Sequence, residues 1–88
     1  MGSLVVEDVF AIKRRGCVVI GKVLDGTFRV GDRVQIVWHD ERCVESAISG
    51  IEKSRTTIDI AQTDDYVGLL LQGIGNNDVH RGDVVRSV

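Results

Sequence analysis

The segment Gly16–Lys22 has the spacing of a phosphate-binding loop, with glycine at its first and sixth positions and lysine at its seventh. A nucleotide site of this kind needs a serine or threonine after the lysine to hold magnesium, and this chain has Val23 there. It also needs a flexible cradle that opens a helix, whereas the residues between the two glycines are stiff and strand-forming. We therefore predict that this domain alone binds no nucleotide.

The other residues able to do chemistry are isolated from one another. His39 and Asp40 are adjacent, so in a strand they would face opposite sides, and no nucleophile is presented to them. A zinc site needs four ligands, and the two cysteines and two histidines lack the paired spacing. The pair Asp64–Asp65 offers too few oxygen ligands for a cation. The sequence thus predicts a protein that is not an enzyme and holds no metal or cofactor.

The composition indicates one small globular domain over residues 1–88. Hydrophobic residues are 43% and charged residues 27% of the chain, which excludes a disordered segment. The net charge is −2, whereas domains that grip nucleic acid by its phosphates are basic, so we expect no DNA binding and at most a small contact with RNA. No apolar run is long enough to cross a membrane. Two thiols without a CxxC pair suit a reducing compartment, so we expect a cytoplasmic protein.

Beta-branched runs between glycine-bearing turns predict an all-β chain with little or no helix. The predicted strands are Leu4–Ile12, Cys17–Leu24, Phe28–Val30, Arg33–Trp38, Cys43–Lys53, Thr57–Ile60, Tyr66–Ile74 and Asp83–Arg86. Asp25–Gly26 is a hairpin signal, and Gly50 predicts a bend. Gly31–Asp32 and Gly82–Asp83 both precede a strand, which predicts a shared turn with glycine at a positive φ angle. About seven short strands favour a closed antiparallel barrel, because closure removes exposed edges.

Side-chain alternation predicts an apolar patch on the outside of this barrel. In the second strand Lys22 marks the solvent face, and Val18 and Ile20 share that face. On two other strands, Leu70 shares the face of Gln72, and Phe10 and Ile12 share the face of Asp8. These three apolar residues are therefore also predicted to point outward. If their strands are neighbours, these residues form a contiguous patch beside the basic run Lys13–Arg15, and such patches mark binding sites. The alternative is that a β-bulge rotates some of them into the core.

Five segments carry a familiar combination of residues, namely Val6–Ile12, Arg15–Val23, Val30–Val34, Val67–Ile74 and Val79–Val85. Together they resemble the second domain of elongation factor Tu and of related translational GTPases, over nearly the whole chain. The resemblance implies a closed, Greek-key-like antiparallel β-barrel that does no chemistry. In that family the barrel packs on a GTPase domain, and in elongation factor Tu it also holds the aminoacylated 3′ end of tRNA.

The resemblance also implies where an RNA end would lie. The positions that match those around the terminal adenosine are Ile12, Val18, Leu70 and Glu52, with Arg55 nearby. The positions that match around the attached amino acid are Glu7, Asp8 and Phe10. Ile20 stands where the family commonly has threonine, Tyr66 where it commonly has asparagine, and Arg14 where it usually has glycine. These departures favour a protein ligand over a conventional aminoacyl-tRNA.

Three hypotheses for the function remain open. The first, favoured by the acidic balance and the altered pocket, is a non-catalytic module that docks a protein partner through the apolar patch, for example a GTPase domain supplied in trans. The second is binding of the 3′ CCA end of tRNA or a similar RNA through the same patch. The third is a domain excised from a longer translational GTPase. The candidate patch consists of Phe10, Ile12, Arg14, Val18, Ile20, Glu52, Arg55, Tyr66 and Leu70.

Overall fold

The computed structural model describes residues 2–12, 16–38, 40–75 and 77–88, and these residues form strands and turns without a helix. The strands are β1 (Gly2–Ile12), β2 (Gly16–Arg29), β3 (Arg33–Val37), β4 (Cys43–Lys53), β5 (Thr56–Ile58), β6 (Ile60–Gln62), β7 (Tyr66–Leu71) and β8 (Val84–Ser87). Two predicted strands, Cys17–Leu24 and Phe28–Val30, belong to the single strand β2, whereas a bend at Asp59 divides the predicted strand Thr57–Ile60 between β5 and β6.

Six of these strands close into an antiparallel barrel. Hydrogen-bonded neighbours follow the order β1-β8-β3-β4-β7-β2, and β1 pairs with β2 to complete the ring. The two short strands lie outside the ring, where β5 pairs with β4 and β6 pairs with β2. The last strand, β8, lies between β1 and β3, as in a Greek key. The prediction of an all-β, closed antiparallel barrel is confirmed.

The prediction of a hairpin at Asp25–Gly26 is wrong. β2 continues through both residues to Arg29, and the chain turns only at Val30–Gly31. Gly26 has a positive φ of 75° inside the strand. The register with β1 shifts just before it and leaves Leu24 as an additional residue in β2. A bulge of this kind bends a strand without reversing it, and here the bend carries β2 from its neighbours β1 and β7 to β6.

The core is lined by one face of each ring strand, and in β2 and β7 it is the face expected from the sequence. Val19 and Val23 of β2, and Leu69 and Leu71 of β7, are fully buried. Their neighbours on the opposite face, including Val18, are only half-buried. Other fully buried large side chains are Phe28, Leu4, Ile36 and Ile51. The predicted division of β2 and β7 into a core face and an outer face is therefore confirmed.

Two further bulges set which residues face outward on β1 and β4. Glu7 is the additional residue in β1, so that Asp8 comes into register with Ile20 of β2. Ser49 is the additional residue in β4, next to the bend that was predicted at Gly50. Because a bulge shifts the alternation by one residue, each of them re-aims the side chains that follow it.

Four turns share one hydrogen-bonding pattern. In each, the backbone N–H of an aspartate donates to the carbonyl three residues earlier, and the aspartate carboxylate accepts that residue's N–H at 2.8–2.9 Å. The aspartates are Asp32, Asp65, Asp78 and Asp83. Gly31 and Gly82 precede two of them with φ angles of 97° and 91°, which confirms the predicted shared turn. A hydrogen bond of 2.8 Å from Lys53 Nζ, together with the turn N–H, lowers the pKa of Asp65.

Candidate binding surface

Four neighbouring strands, β1, β2, β7 and β4, present one continuous outer surface. Residues paired across these strands form a first row consisting of Phe10, Val18, Leu70 and Gly50. The next row consists of Asp8, Ile20, Gly68 and Glu52. At the usual spacing between strands each row is about 14 Å wide. We call these two rows, together with Tyr66 and Arg55, the wall patch.

The apolar side chains of the wall patch stay outside the core. Phe10 is 52% exposed and Tyr66 is 54% exposed, while Val18, Ile20 and Leu70 are half-buried. The bulge in β1 does not rotate Phe10 inward, because it aligns the residues that follow it with the outer face of β2. The strands are therefore neighbours, and their outward apolar residues are contiguous.

Two shallow hollows indent the wall patch between β2, β7 and β4. The first has a volume of about 180 Å³, and its lining includes Val18, Leu70, Gly50, Gly68, Thr57 and Glu52. The second has a volume of about 210 Å³, and its lining includes Val18, Ile20, Gly68, Tyr66, Glu52 and Arg55. Glycine keeps them open: a Cβ atom on Gly68 would lie 3.1 Å from Cγ1 of Val18, and one on Gly50 would lie 3.7 Å from Cβ of Leu70.

The acidic groups at the β1 margin of the wall patch are engaged within the fold. Asp8 accepts the N–H of Val9 at 2.9 Å and lies 3.6 Å from the guanidinium of Arg81. The hydroxyl of Tyr66 donates a long hydrogen bond of 3.5 Å to Glu7. Desolvation, followed by the nearby charge of Glu7, raises the pKa of Tyr66.

The charged groups at the other margin have no partner among the described residues. Glu52 and Arg55 line the same hollow, yet within the described ranges neither side chain makes a hydrogen bond or ion pair. By contrast, Nζ of Lys53, which lies between them in the sequence, forms a salt bridge of 2.8 Å with the carboxylate of Asp65. The wall patch thus offers an apolar floor and, at its edge, one carboxylate and one guanidinium that pair with no other described residue.

Among the described residues proposed from the sequence, Phe10 and Ile12 line neither hollow. Ile12 is half-buried at the end of β1, where it pairs with Gly16 beyond the row of Phe10. Arg14 lies outside the described residues. Conversely, the sequence reasoning missed Gly50 and Gly68 as residues that open the hollows. The sequence feature that could have identified them is a glycine inside a predicted strand, which commonly marks the close approach of another group.

The residues considered for other chemistry are placed as parts of the barrel. Gly16–Lys22 belongs to β2 rather than to a loop that opens a helix. Burial and the charge of Asp78 raise the pKa of the Cys17 thiol, while Cys43 is exposed. Across the described ranges no three histidine, cysteine or acidic side chains are grouped to hold a metal ion. The same ranges contain no helix long and apolar enough to cross a membrane.

The ring order, the short accessory strands and the outer rows define a closed antiparallel β-barrel of the translation-factor type. Comparison with known families matches residues 16–86 to elongation factor Tu domain 2. The chain therefore belongs to the elongation factor Tu domain 2 family. Domain 2 of this family is a non-catalytic barrel, and the GTPase activity lies in a different domain. β1, which contributes Phe10 and Asp8 to the wall patch, precedes the matched range.

Proposed function

We propose that this barrel is a non-catalytic module that docks a protein partner through the wall patch. The observation that carries the proposal is the row from Phe10 through Val18 to Leu70, which places apolar side chains side by side on three strands. Contiguous exposed apolar surface commonly marks an interaction site. Two exposed aromatic side chains, Phe10 and Tyr66, fit this role because aromatic residues are enriched in protein interfaces.

The charges favour a protein over a nucleic acid. The chain carries a net charge of −2. The wall patch itself includes the acidic residues Asp8 and Glu52, and Glu7 is hydrogen-bonded to its Tyr66. Among the described residues of the patch itself, Arg55 supplies the only positive charge. Affinity for RNA or DNA rests largely on contacts between basic side chains and phosphates, and the net charge of −2 does not favour such contacts.

The partner we propose is the GTPase domain of a translational GTPase, supplied by another chain in the cytoplasm. Membership of the family supports this choice, because its barrels belong to proteins of the translational GTPase type. The wall patch is also wide enough, at about 14 Å across four strands, to take a helix or a loop of a folded partner.

Leu70→Glu is expected to weaken docking at least about tenfold, because it places a carboxylate on the apolar floor of the first hollow without a partner for its charge. The measurement is a two-dimensional NMR titration of the labelled chain with the purified GTPase domain of elongation factor Tu from the same organism. Amide shifts should cluster at Phe10, Val18, Ile20 and Leu70 in the parent chain and vanish in the variant.

Two further variants complete this experiment. Val30→Glu is the matched control, because Val30 is 43% exposed in a turn outside the wall patch, and it should bind like the parent chain. Phe10→Glu repeats the test at a side chain that is already exposed, in case Leu70→Glu unfolds. Unfolding of Leu70→Glu would contradict the outward placement of Leu70. Shifts that cluster away from the patch, or a flat titration, would contradict docking of this partner.

Glu52 supports one second candidate, the 3′ end of an RNA. Its carboxylate, which has no partner among the described residues, lines a hollow that Gly50 and Gly68 keep open. A flat base with a donor edge would suit this shape. The test is the same titration with a short RNA that ends in CCA. Saturable shifts at Val18, Glu52 and Leu70 would favour the RNA. No shift at millimolar RNA would leave protein docking as the function.

A further inference from the structure

The hairpin between β4 and β5 holds an arginine in an unfavourable backbone conformation. Lys53 pairs with Thr56, so the loop consists of the two residues Ser54 and Arg55. Their φ angles are 52° and 66°, which is the arrangement of a type I′ turn. This turn strongly prefers glycine or asparagine, because a side chain at a positive φ crowds its own backbone.

Within the described part of the chain, Arg55 makes no contact that would stabilise the fold and so explain an arginine at this position. Its side chain is exposed and makes no hydrogen bond or ion pair there. The neighbouring cations differ in this respect, since Lys53 is paired with Asp65 and Lys22 lies 3.5 Å from Asp64. Residues in unfavourable backbone conformations cluster at functional sites, so the conformation of Arg55 supports a role in binding.

The surroundings of Arg55 define what it would bind. It lines the second hollow together with Val18, Ile20 and Gly68, and Glu52 lines the same hollow without pairing with it. A ligand there meets an apolar floor and a guanidinium whose planar fork matches a carboxylate. Glu52 repels a ligand carboxylate, so it disfavours a partner seated in the reverse direction.

We propose that Arg55 determines specificity by binding a carboxylate of the protein partner. The inference rests on the proposed docking function. The partner segment then presents an apolar side chain to the hollow and an aspartate or glutamate next to it, on the side of Arg55. A hydrogen-bond donor or a basic side chain of the same segment faces Glu52.

A first experiment separates this role from a structural one. Arg55→Gly relieves the backbone conformation, so its Tm is expected to rise by about 4 °C or more. Arg55→Lys keeps both the backbone conformation and the charge, so its Tm should not change. If Arg55→Gly instead lowers the Tm, Arg55 stabilises the fold and the proposal is overturned.

A second experiment tests the carboxylate directly, with N-acetyl-leucine as a probe that joins an apolar side chain to one carboxylate. In an NMR titration at millimolar concentration, the probe should shift the amides of the second hollow and the side-chain signal of Arg55. N-acetyl-leucinamide, which lacks the charge, is the matched control and should shift neither. Arg55→Gly should abolish the response, and Arg55→Lys should weaken it because lysine lacks the fork.

The third measurement is the affinity of each variant for the GTPase domain. It distinguishes the proposed role of Arg55 from the proposed docking function. Arg55→Gly should lower the affinity for this partner by about tenfold or more, since it leaves the partner's carboxylate unpaired. Unchanged affinity, together with no response to N-acetyl-leucine, would overturn the role of Arg55 and leave docking intact. A response to N-acetyl-leucine without binding of the GTPase domain would support Arg55 and reject that partner. Binding of a CCA-ended RNA through Arg55, without a response to the carboxylate, would overturn the inference.

Discussion

Phe28→Ala is expected to lower the free energy of unfolding by about 3–5 kcal/mol. Phe28 is fully buried and heads the core residues by volume. It lies on β2 beyond the bulge at Leu24, where the strand pairs with β6 through Ala61. A closed ring of hydrogen-bonded strands has little freedom to collapse around the cavity that the substitution leaves. The loss is a large share of the ~4–13 kcal/mol expected for a domain of this length.

The measurement is urea unfolding followed by the fluorescence of Trp38, the only tryptophan of the chain. The matched control is Phe10→Ala, since Phe10 is the only other phenylalanine and is 52% exposed. Phe10→Ala should change stability by no more than about 0.5 kcal/mol, while weakening the proposed docking. Equal destabilisation by the two substitutions would show that Phe10 also contributes to the core, which the proposed function does not allow.

The face of each strand was predictable because alternation in a strand has a period of two. One polar residue at a solvent position, such as Lys22, fixes the orientation of every neighbour along the strand. The assignments of Val18 and Val19 to opposite faces follow from this rule alone, and the structure confirms them. Bulges are where the rule breaks, and the bulge at Glu7 is followed by a new alternation that the sequence does not announce.

The dipeptide Asp25–Gly26 shows why the local sequence predicts a hairpin where the structure has a bulged strand. Both a hairpin turn and a bulge need a residue with positive φ, so the same dipeptide suits either. What decides is pairing with distant residues: Gly26 lies opposite Gly2, and the next residues pair with β6. Those partners are far away along the chain, and no local pattern identifies them.

The candidate site, too, was only partly predictable from the sequence. Alternation predicts that Val18 and Leu70 face outward, and the face that Phe10 shares with Asp8 predicts the same for Phe10. Neither pattern says that their strands are neighbours. That step came from the resemblance to the family, and the register of β1, β2 and β7 places the three side by side. The hollows were not predictable from side chains, because they exist where Gly50 and Gly68 have none.

Gly21→Ala is expected to destabilise the barrel by about 3–4 kcal/mol, although it adds a single methyl group. Gly21 lies on the inward face of β2, between Val19 and Val23. A Cβ atom there would collide with the backbone oxygen of Val5 and lie 2.9 Å from Cδ2 of Leu4. Relief requires β1 to move away from β2, and this pairing is the one that closes the ring.

Gly50→Ala is the matched control, because it adds the same methyl group at a glycine of the outer face. There the nearest atoms, Cβ and Cδ2 of Leu70, lie 3.7 Å away, which is an ordinary contact. Thermal unfolding followed by circular dichroism should therefore show a large fall in Tm for Gly21→Ala and almost none for Gly50→Ala. The added methyl group at Gly50 narrows the first hollow, so it should weaken docking instead. If both variants lost stability equally, glycine would be needed for the strand conformation at both positions. The proposed difference, in which Gly21 allows the barrel to close and Gly50 leaves the binding surface open, would then be wrong.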